Sequence, residues 1–317
     1  MILDQRAMST LGAGSREAAR VTHLTWFLLI AAAVVYVTVI TALLAAVLRR
    51  GHGTGADVDT TPVSARPVII GGAVIPGMIL VALFLAGLGA MRAYPTPAGA
   101  EPVRFFVTGH QWWWDVNYRG PGESFRTANE IHVPAGRQVE IELTSADVIH
   151  SFWVPRLHGK IDVIPGDTNA IRFTATRIDS YRGQCAEYCG MQHANMAFAV
   201  VVEDSVSFAR WLAAQGRQAA SPVSADEKLG ERLVVGGPCA LCHTIDGTPA
   251  SGRVGPDLTH VASRAMLAAG TLPNNRATLE GWISNAPSLK PGVLMPALPQ
   301  FTGHQLLAMT SYLASLH

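Results

Sequence analysis

The chain has little charge. Asp, Glu, Lys and Arg make up 15% of its 317 residues, and 24 basic against 23 acidic side chains leave a net charge of +1. No nucleic-acid partner is expected, because such proteins carry a basic excess gathered on one face. Cysteine is scarce too, with four residues in all. That number in a chain of this length excludes a disulfide framework, which small secreted domains build from many cysteines. Internal repeats and low-complexity tracts are missing, which sets aside solenoids and long disordered segments.

What the chain has in plenty is apolar sequence, at 49% hydrophobic residues and a mean hydropathy of +0.24. The excess sits in two runs. Leu24 to Leu48 carries no charge and ends at Arg49-Arg50; Val68 to Met91 is uncharged and ends at Arg92. Each is long enough to cross a bilayer core of ~30 Å as a helix. Buried core helices seldom run so far without a polar face. The first run is also too long for a secretory signal and lies behind residues 1–23. Two spans place both ends of the chain on one side of the membrane. Basic residues do not say which, since Arg6, Arg16 and Arg20 precede the first span and Arg49, Arg50 and Arg66 follow it.

After Arg92 the texture changes. "AYPTPAGAEP" is a Pro/Gly-rich exit, and from Val103 to Glu203 short β-patterned runs alternate with turns: "VRFFVTGHQWWWDVNY", "NEIHVPAG", "RQVEIELTS", "VIHSFWVP", "TNAIRFTA" and "MAFAVVVE". This predicts an all-β sandwich of roughly one hundred residues. "DSVSFARWLAAQG" predicts a closing helix and "RQAASPVSA" a linker. The expected domains are a tail (1–23), a transmembrane hairpin (24–92), a β domain (93–216), a linker (217–225) and a helical domain (226–317).

All four cysteines fall in two short motifs. "GQCAEYCGMQHANM" offers Cys185, Cys189, His193 and Met196, a thiolate, imidazole and thioether set that suits copper or zinc better than a hard cation. "VIH" puts His150 at a strand end, where a sandwich can bring it to that loop. Structural zinc has no use for a thioether, so copper fits better. In "HQWWWD", alternate aromatics on a strand face opposite sides, so one of Trp112, Trp113 and Trp114 should point outward. "PCALCH" holds C-x-x-C-H, the c-type haem attachment pattern, with Cys239 and Cys242 as thioether carriers and His243 as iron ligand. A redox dithiol would leave His243 unexplained.

The loop "CAEYCGMQHANM", with "DVIHSFWVP" and "GHQWWW" before it, resembles subunit II of cytochrome c oxidases over roughly residues 20–205. The resemblance implies a cupredoxin-like sandwich holding the binuclear copper centre called CuA. Cys185 and Cys189 would bridge the coppers, His150 and His193 cap them, Met196 serve as a weak axial ligand and Glu187 give its backbone carbonyl. It also implies a second role for the Glu187 carboxylate, toward Mg²⁺ or Mn²⁺ at the interface with subunit I, and makes Trp112 the surface aromatic through which electrons enter. In one respect the chain departs from that family. A glutamate is often found shortly before an Ile-Pro at the start of the second span; here "RPVIIGGAV" precedes Ile75-Pro76 without any carboxylate, leaving Asp57 and Asp59 as weak substitutes for proton uptake.

"VGPDL", "PGVLMPAL" and the terminal "HQLLAMTSYLASL" make residues 226–317 resemble an all-α class I cytochrome c domain. Pro256 would steady His243 through its carbonyl, and Met295 is the expected sixth iron ligand. Met266 and Met309 compete but lie on helix-like stretches, and His260 is a weaker alternative. Haem c attachment happens outside the bacterial cytoplasm. The implied protein is therefore the fused, caa3-type subunit II of a haem–copper oxidase in the bacterial plasma membrane, multi-pass, with both C-terminal domains extracytoplasmic. Subunits I and III, membrane lipid and an upstream cytochrome c or quinol–cytochrome c reductase are the implied partners. Reduction of O2 to water, coupled to proton translocation, would occur in subunit I. Two alternatives stay open: the electron-entry subunit of a CuA-containing nitric oxide reductase, and a membrane-anchored redox shuttle without a catalytic partner.

Overall fold

The computed structural model describes residues 8–50, 64–92, 101–120 and 123–317; Arg6, Asp57, Asp59 and most of the expected inter-span loop lie outside them. Contacts divide the chain into two units, one made of residues 20–98 and the other of the N-terminal stretch to Ala19 with residues 99–317.

Helix α1 runs Arg16–Arg50 and belongs to the first unit from Arg20 onward. The second apolar run forms α2 (Arg66–Ile69), a π-helical stretch Ile70–Val74, and α3 (Ile75–Arg92). Pro76 explains the widened turn: it lacks an N–H for the carbonyl four residues back, and its ring would crowd that carbonyl in a regular α-helix. Neither most apolar window has a buried residue, and both helices are long and apolar enough to cross a membrane. The core-helix reading does not survive that exposure.

In the second unit, ten strands form two five-stranded sheets. The strands are β1 (Val103–His110), β2 (Trp113–Gly120), β3 (Glu123–Ala128), β4 (Glu130–Pro134), β5 (Gln138–Ser145), β6 (His150–Val154), β7 (His158–Val163), β8 (Asn169–Thr174), β9 (Asp179–Cys185) and β10 (Ala197–Glu203). Their orders are β3-β2-β1-β5-β8 and β4-β10-β9-β6-β7. Period-two alternation sends Phe105 and Val107 of β1, and Val139, Ile141 and Leu143 of β5, into the space between the sheets. There they meet Trp114, Phe152, Tyr181 and Phe198 in one core. At ~25 cal/mol per Å² of apolar surface, side chains of this size each contribute about 2 kcal/mol or more on burial. Strands β3, β7 and β9 carry polar or glycine-broken sequence that hides the strand pattern. The run expected as one strand over 103–118 is two, broken by a turn at 111–112.

Residues 12–17, expected within a tail, lie along the sandwich. Gly14 donates to the Arg156 carbonyl at 2.8 Å, and the Glu17 carboxylate accepts from Thr174 N–H at 2.9 Å. After the sandwich, α4 (Ser205–Gln215) begins at an Asp204 cap that accepts from Val206 and Ser207 N–H. The expected linker is itself docked: the Arg217 carbonyl meets His260 Nε2 at 2.9 Å, and Ala219 N–H donates to Asp246 at 3.1 Å.

The C-terminal domain has helices α5 (Ala225–Val235), α6 (Arg276–Leu289) and α7 (Gly303–Leu313). Ser224 and Thr302 open α5 and α7 with reciprocal caps to Glu227 and Gln305. Val234, Leu279, Ile283, Met309, Tyr312 and Leu313 close a second core. A two-strand hairpin, β11 (Met266–Leu267) and β12 (Leu272–Pro273), qualifies the all-α expectation.

Candidate metal centre and haem cavity

The soft-ligand loop joins two paired strands. Cys185 ends β9 and Met196 immediately precedes β10, and Cys185 N–H donates to the Met196 carbonyl at 2.9 Å, pinching the loop at its base. His150 opens β6 beside β9, where Phe152 and Cys185 are register partners. His193 stands on a 3-10 turn, His193–Asn195. Sheet pairing thus carries residues 35 and more positions apart to one point. The two Sγ atoms are 3.7 Å apart; His150 Nδ1 lies 3.9 Å from Cys185 Sγ, and His193 Nδ1 3.7 Å from Cys189 Sγ. Met196 Sδ is 3.8 Å from Cys189 Sγ, and the Glu187 carbonyl 3.2 Å from Cys185 Sγ.

Outer contacts orient this set. Asp147 holds His150 Nε2 at 2.8 Å, so Nδ1 is the nitrogen presented to sulfur. Burial opposes a charge on His150, but hydrogen bonding to Cys185 and Asp147 outweighs it and raises the pKa. The Cys185 thiol is held far down, first by the bond from Cys189 and then by His150, while that same pairing pushes Cys189 up. With donor atoms of His150, Cys185 and Cys189 all within 4.8 Å of one another, the pocket fits soft metal ions. The Glu187 carboxylate is elsewhere: it is half-exposed and 3.8 Å from Lys160 Nζ.

The C-x-x-C-H motif begins on a 3-10 turn, Pro238–Leu241. His243 N–H donates to the Cys239 carbonyl at 2.9 Å, and Cys239, Cys242 and His243 all line one apolar cavity. His243 Nδ1 bonds the Pro256 carbonyl at 2.6 Å. Burial lowers its pKa despite that bond, so the ring is neutral and Nε2 is left for a metal. Gly255 permits the approach, since a Cβ there would sit 2.6 Å from His243 Cε1.

Met295 lines the cavity, and so does Met266, which lies on β11 rather than on the helix expected for it. Met309 is fully buried in α7, and both His260 nitrogens are engaged, by His317 and Arg217 carbonyls. Arg264 also lines the cavity, buried, with its Nε lacking any hydrogen-bond partner. The guanidinium is tethered through Nη2 to the Asp257 carbonyl, and its unpaired Nε, in a cavity shared with two free thiols and a histidine, suits a haem with its carboxylates.

Trp112 is not the surface residue expected. It is 8% exposed, because the haem cavity closes over it; Trp114 is fully buried, and Trp113 is the partly exposed one, stacked on His110 at 4.4 Å. Trp112 lines that cavity while its Nε1 donates to the Cys189 carbonyl at 3.0 Å, alongside Gln111 Nε2 at 2.7 Å. Asp147, Gln111, Arg264 and Lys290 were not singled out in the sequence. Asp147 alone had a signal there, a carboxylate three residues before a candidate ligand.

A sandwich with a soft-ligand loop, joined to a c-type haem fold, defines a copper- and haem-binding electron-transfer subunit. Residues 119–204 match the family model "Cytochrome C oxidase subunit II, periplasmic domain", and residues 227–317 match "Cytochrome c". The chain is 35% identical over 248 residues to cytochrome c oxidase subunit 2 of Alkalihalophilus pseudofirmus, covering 77% of this chain and 71% of the relative. It is 30% identical over 220 residues to that of Bacillus subtilis, covering 66% and 61%. A solved structure, the periplasmic domain of subunit II of the Bradyrhizobium japonicum cytochrome oxidase, is 32% identical with a TM-score of 0.35, covering 38% of this chain and 96% of its own. The chain belongs to the cytochrome c oxidase subunit II family and carries a fused cytochrome c domain. It is a component of a cytochrome c oxidase and has two helices long and apolar enough to cross a membrane.

Proposed function

We propose that this chain is the electron-entry subunit of that oxidase, taking electrons at a covalent haem c and delivering them through CuA to subunit I, where O2 is reduced to water and protons are translocated. When bound, the haem and the copper pair supply one-electron redox chemistry. The residues proposed to hold them are Cys239, Cys242, His243 and Met295 for haem, and His150, Cys185, Glu187 (carbonyl), Cys189, His193 and Met196 for copper. One observation carries the reading: Trp112 touches both sites, one face on the haem cavity and its N–H on the backbone of a thiolate ligand.

The chain's own residues do the rest. Bonds to the Asp147 carboxylate and to the Pro256 carbonyl fix which nitrogen of His150 and of His243 faces a metal. A loop rooted in paired strands resists rearrangement when the charge of its metals changes, which lowers the cost of transfer. The proposed topology is multi-pass in the bacterial plasma membrane, with both C-terminal domains extracytoplasmic. Subunit III, an upstream cytochrome c or quinol–cytochrome c reductase, and Mg²⁺ or Mn²⁺ at the Glu187 carboxylate complete the proposal.

The test is the metal and haem content of the purified assembly with its oxygen uptake. Two coppers and one haem per chain that resists acid acetone, with uptake in an assembly containing subunit I, are expected. A chain isolated alone would favour the redox shuttle, and nitric oxide consumption without oxygen uptake the other rival.

A further inference from the structure

Lys290 is among the largest side chains that are fully buried. It follows α6 and belongs to the cytochrome domain, yet its ammonium lies where three segments meet. Nζ donates to the Asn195 carbonyl of the copper loop at 2.8 Å, to Ala268 of the haem-cavity hairpin at 3.0 Å, and to Trp112, before β2, at 3.2 Å. An ammonium has three protons, and here each has a carbonyl. No carboxylate pairs with it among the described residues. A buried cation with no carboxylate partner is costly unless its surroundings are fixed and polar, and here three main-chain carbonyls supply them.

The residues around it repeat the same junction. Gln192 Nε2 donates to the Pro291 carbonyl at 2.7 Å, and Ala197 N–H donates to Ala269 at 3.0 Å. The Glu130 carboxylate accepts from Ala265 N–H at 2.9 Å. Gly292, at φ +83°, lies against Met191, where a Cβ would come within 2.8 Å of Sδ. Along the copper loop, residues that face sulfur (Cys189, His193, Met196) alternate with residues that grip the cytochrome domain (Met191, Gln192, Asn195). One loop therefore does both jobs, and Lys290 is the charged member of the junction.

We propose that Lys290 is the positioning residue between the two redox sites. Its ammonium pins the haem-cavity hairpin, the turn bearing Trp112 and the copper loop to one point, and its fixed positive charge favours the reduced state of the copper site. This rests on the proposed copper and haem occupancy. The electrostatic part needs only that reduction adds one negative charge near a cation held in a medium of low polarity, where charges act strongly. Because the ammonium is bound to main-chain carbonyls, its position does not depend on any other side chain.

The test uses the full chain in detergent, loaded with copper and haem. Lys290→Met keeps much of the length and removes the charge and its bonds; Lys228→Met, on the exposed face of α5, is the control. Hydrogen exchange at Ala197 and Ala265, whose amides bond across the junction, reads the docking without reference to activity. Protection in Lys290→Met is expected to fall by about tenfold or more, the factor that loss of one hydrogen bond from a charged donor represents. The copper potential should fall relative to haem, and haem-to-copper transfer should slow. Should Lys290→Met fail to fold, Lys290→Gln is measured with the same expected losses. Unchanged protection and potential in a fully loaded variant overturn the inference. A wild-type chain lacking copper or haem after loading would instead overturn the functional reading beneath it.

Discussion

The indole N–H of Trp112 and the carbonyl of Cys189 meet at 3.0 Å, and the same ring forms part of the haem-cavity wall. A residue 77 positions from Cys189 in sequence is thus one hydrogen bond from that ligand's backbone. The C-terminal domain covers the face of the sandwich on which this ring lies, so a soluble donor has no access to it in this arrangement. Under the proposed function, donors act on the haem domain.

Trp112→Leu should therefore slow haem-to-copper transfer sharply while leaving the copper and haem spectra in place. Because the ring is buried, the substitution should also cost about 2 kcal/mol of stability, below the range for full truncation of such a ring. Trp113→Leu, at a partly exposed ring, should alter both quantities little. Flash-induced reduction of copper through haem, with thermal melting of each variant, decides it; equal transfer rates in Trp112→Leu and wild type would reduce Trp112 to packing.

Two methionines reach the haem cavity, and their variants should separate them. Met295→Ala should lose the low-spin oxidised spectrum, and Met295→His should keep a low-spin haem at lower potential, since a thioether favours ferrous iron more than imidazole does. Met266→Ala should keep the spectrum and the potential. Absorption spectra and redox titration of the three variants check this, and the reverse pattern would move the sixth ligand to β11.

The pair of carboxylates around His132 makes a pH prediction. His132 is buried between Glu130 and Glu203, at 3.0 and 3.1 Å, and stacked on Trp211. Burial opposes its charge, but the two carboxylates prevail and raise its pKa above 6.5; burial likewise opposes Glu130, whose pKa the His132 bond brings below 4.5. The His132 contribution is complete below pH 6.5 and fades as pH rises through its folded value. The Glu130 contribution is complete above pH 4.5 and fades as pH falls through its folded value. Melting temperature should therefore gain from this cluster most between those two values, and His132→Gln should flatten the loss on the alkaline side. A melting profile from pH 4 to 9, in which the variant keeps the wild-type slope above neutrality, would show that the cluster is not responsible.

Much of this protein is legible in its sequence. Two uncharged runs closed by arginines gave away the helices, because a bilayer-length apolar segment has few other uses. Crowded soft ligands within Cys185 to Met196, and the C-x-x-C-H of Cys239 to His243, marked the two sites because metal ligation needs those side chains at short, regular spacing. Period-two alternation revealed strands whose one face is buried, and it failed for β3, β7 and β9, where polar or glycine-broken sequence hides the pattern. The tertiary structure decided everything that depends on distant segments meeting. Strand pairing brought Asp147 and His150 to Cys185; docking of the cytochrome domain turned Trp112 from an outward residue into a buried one, and drew Lys290 and Arg264 into positions that no local pattern announces. Spacing along a chain records which side chains can ligate together on one loop, whereas burial and electrostatics depend on what else in space has closed over them.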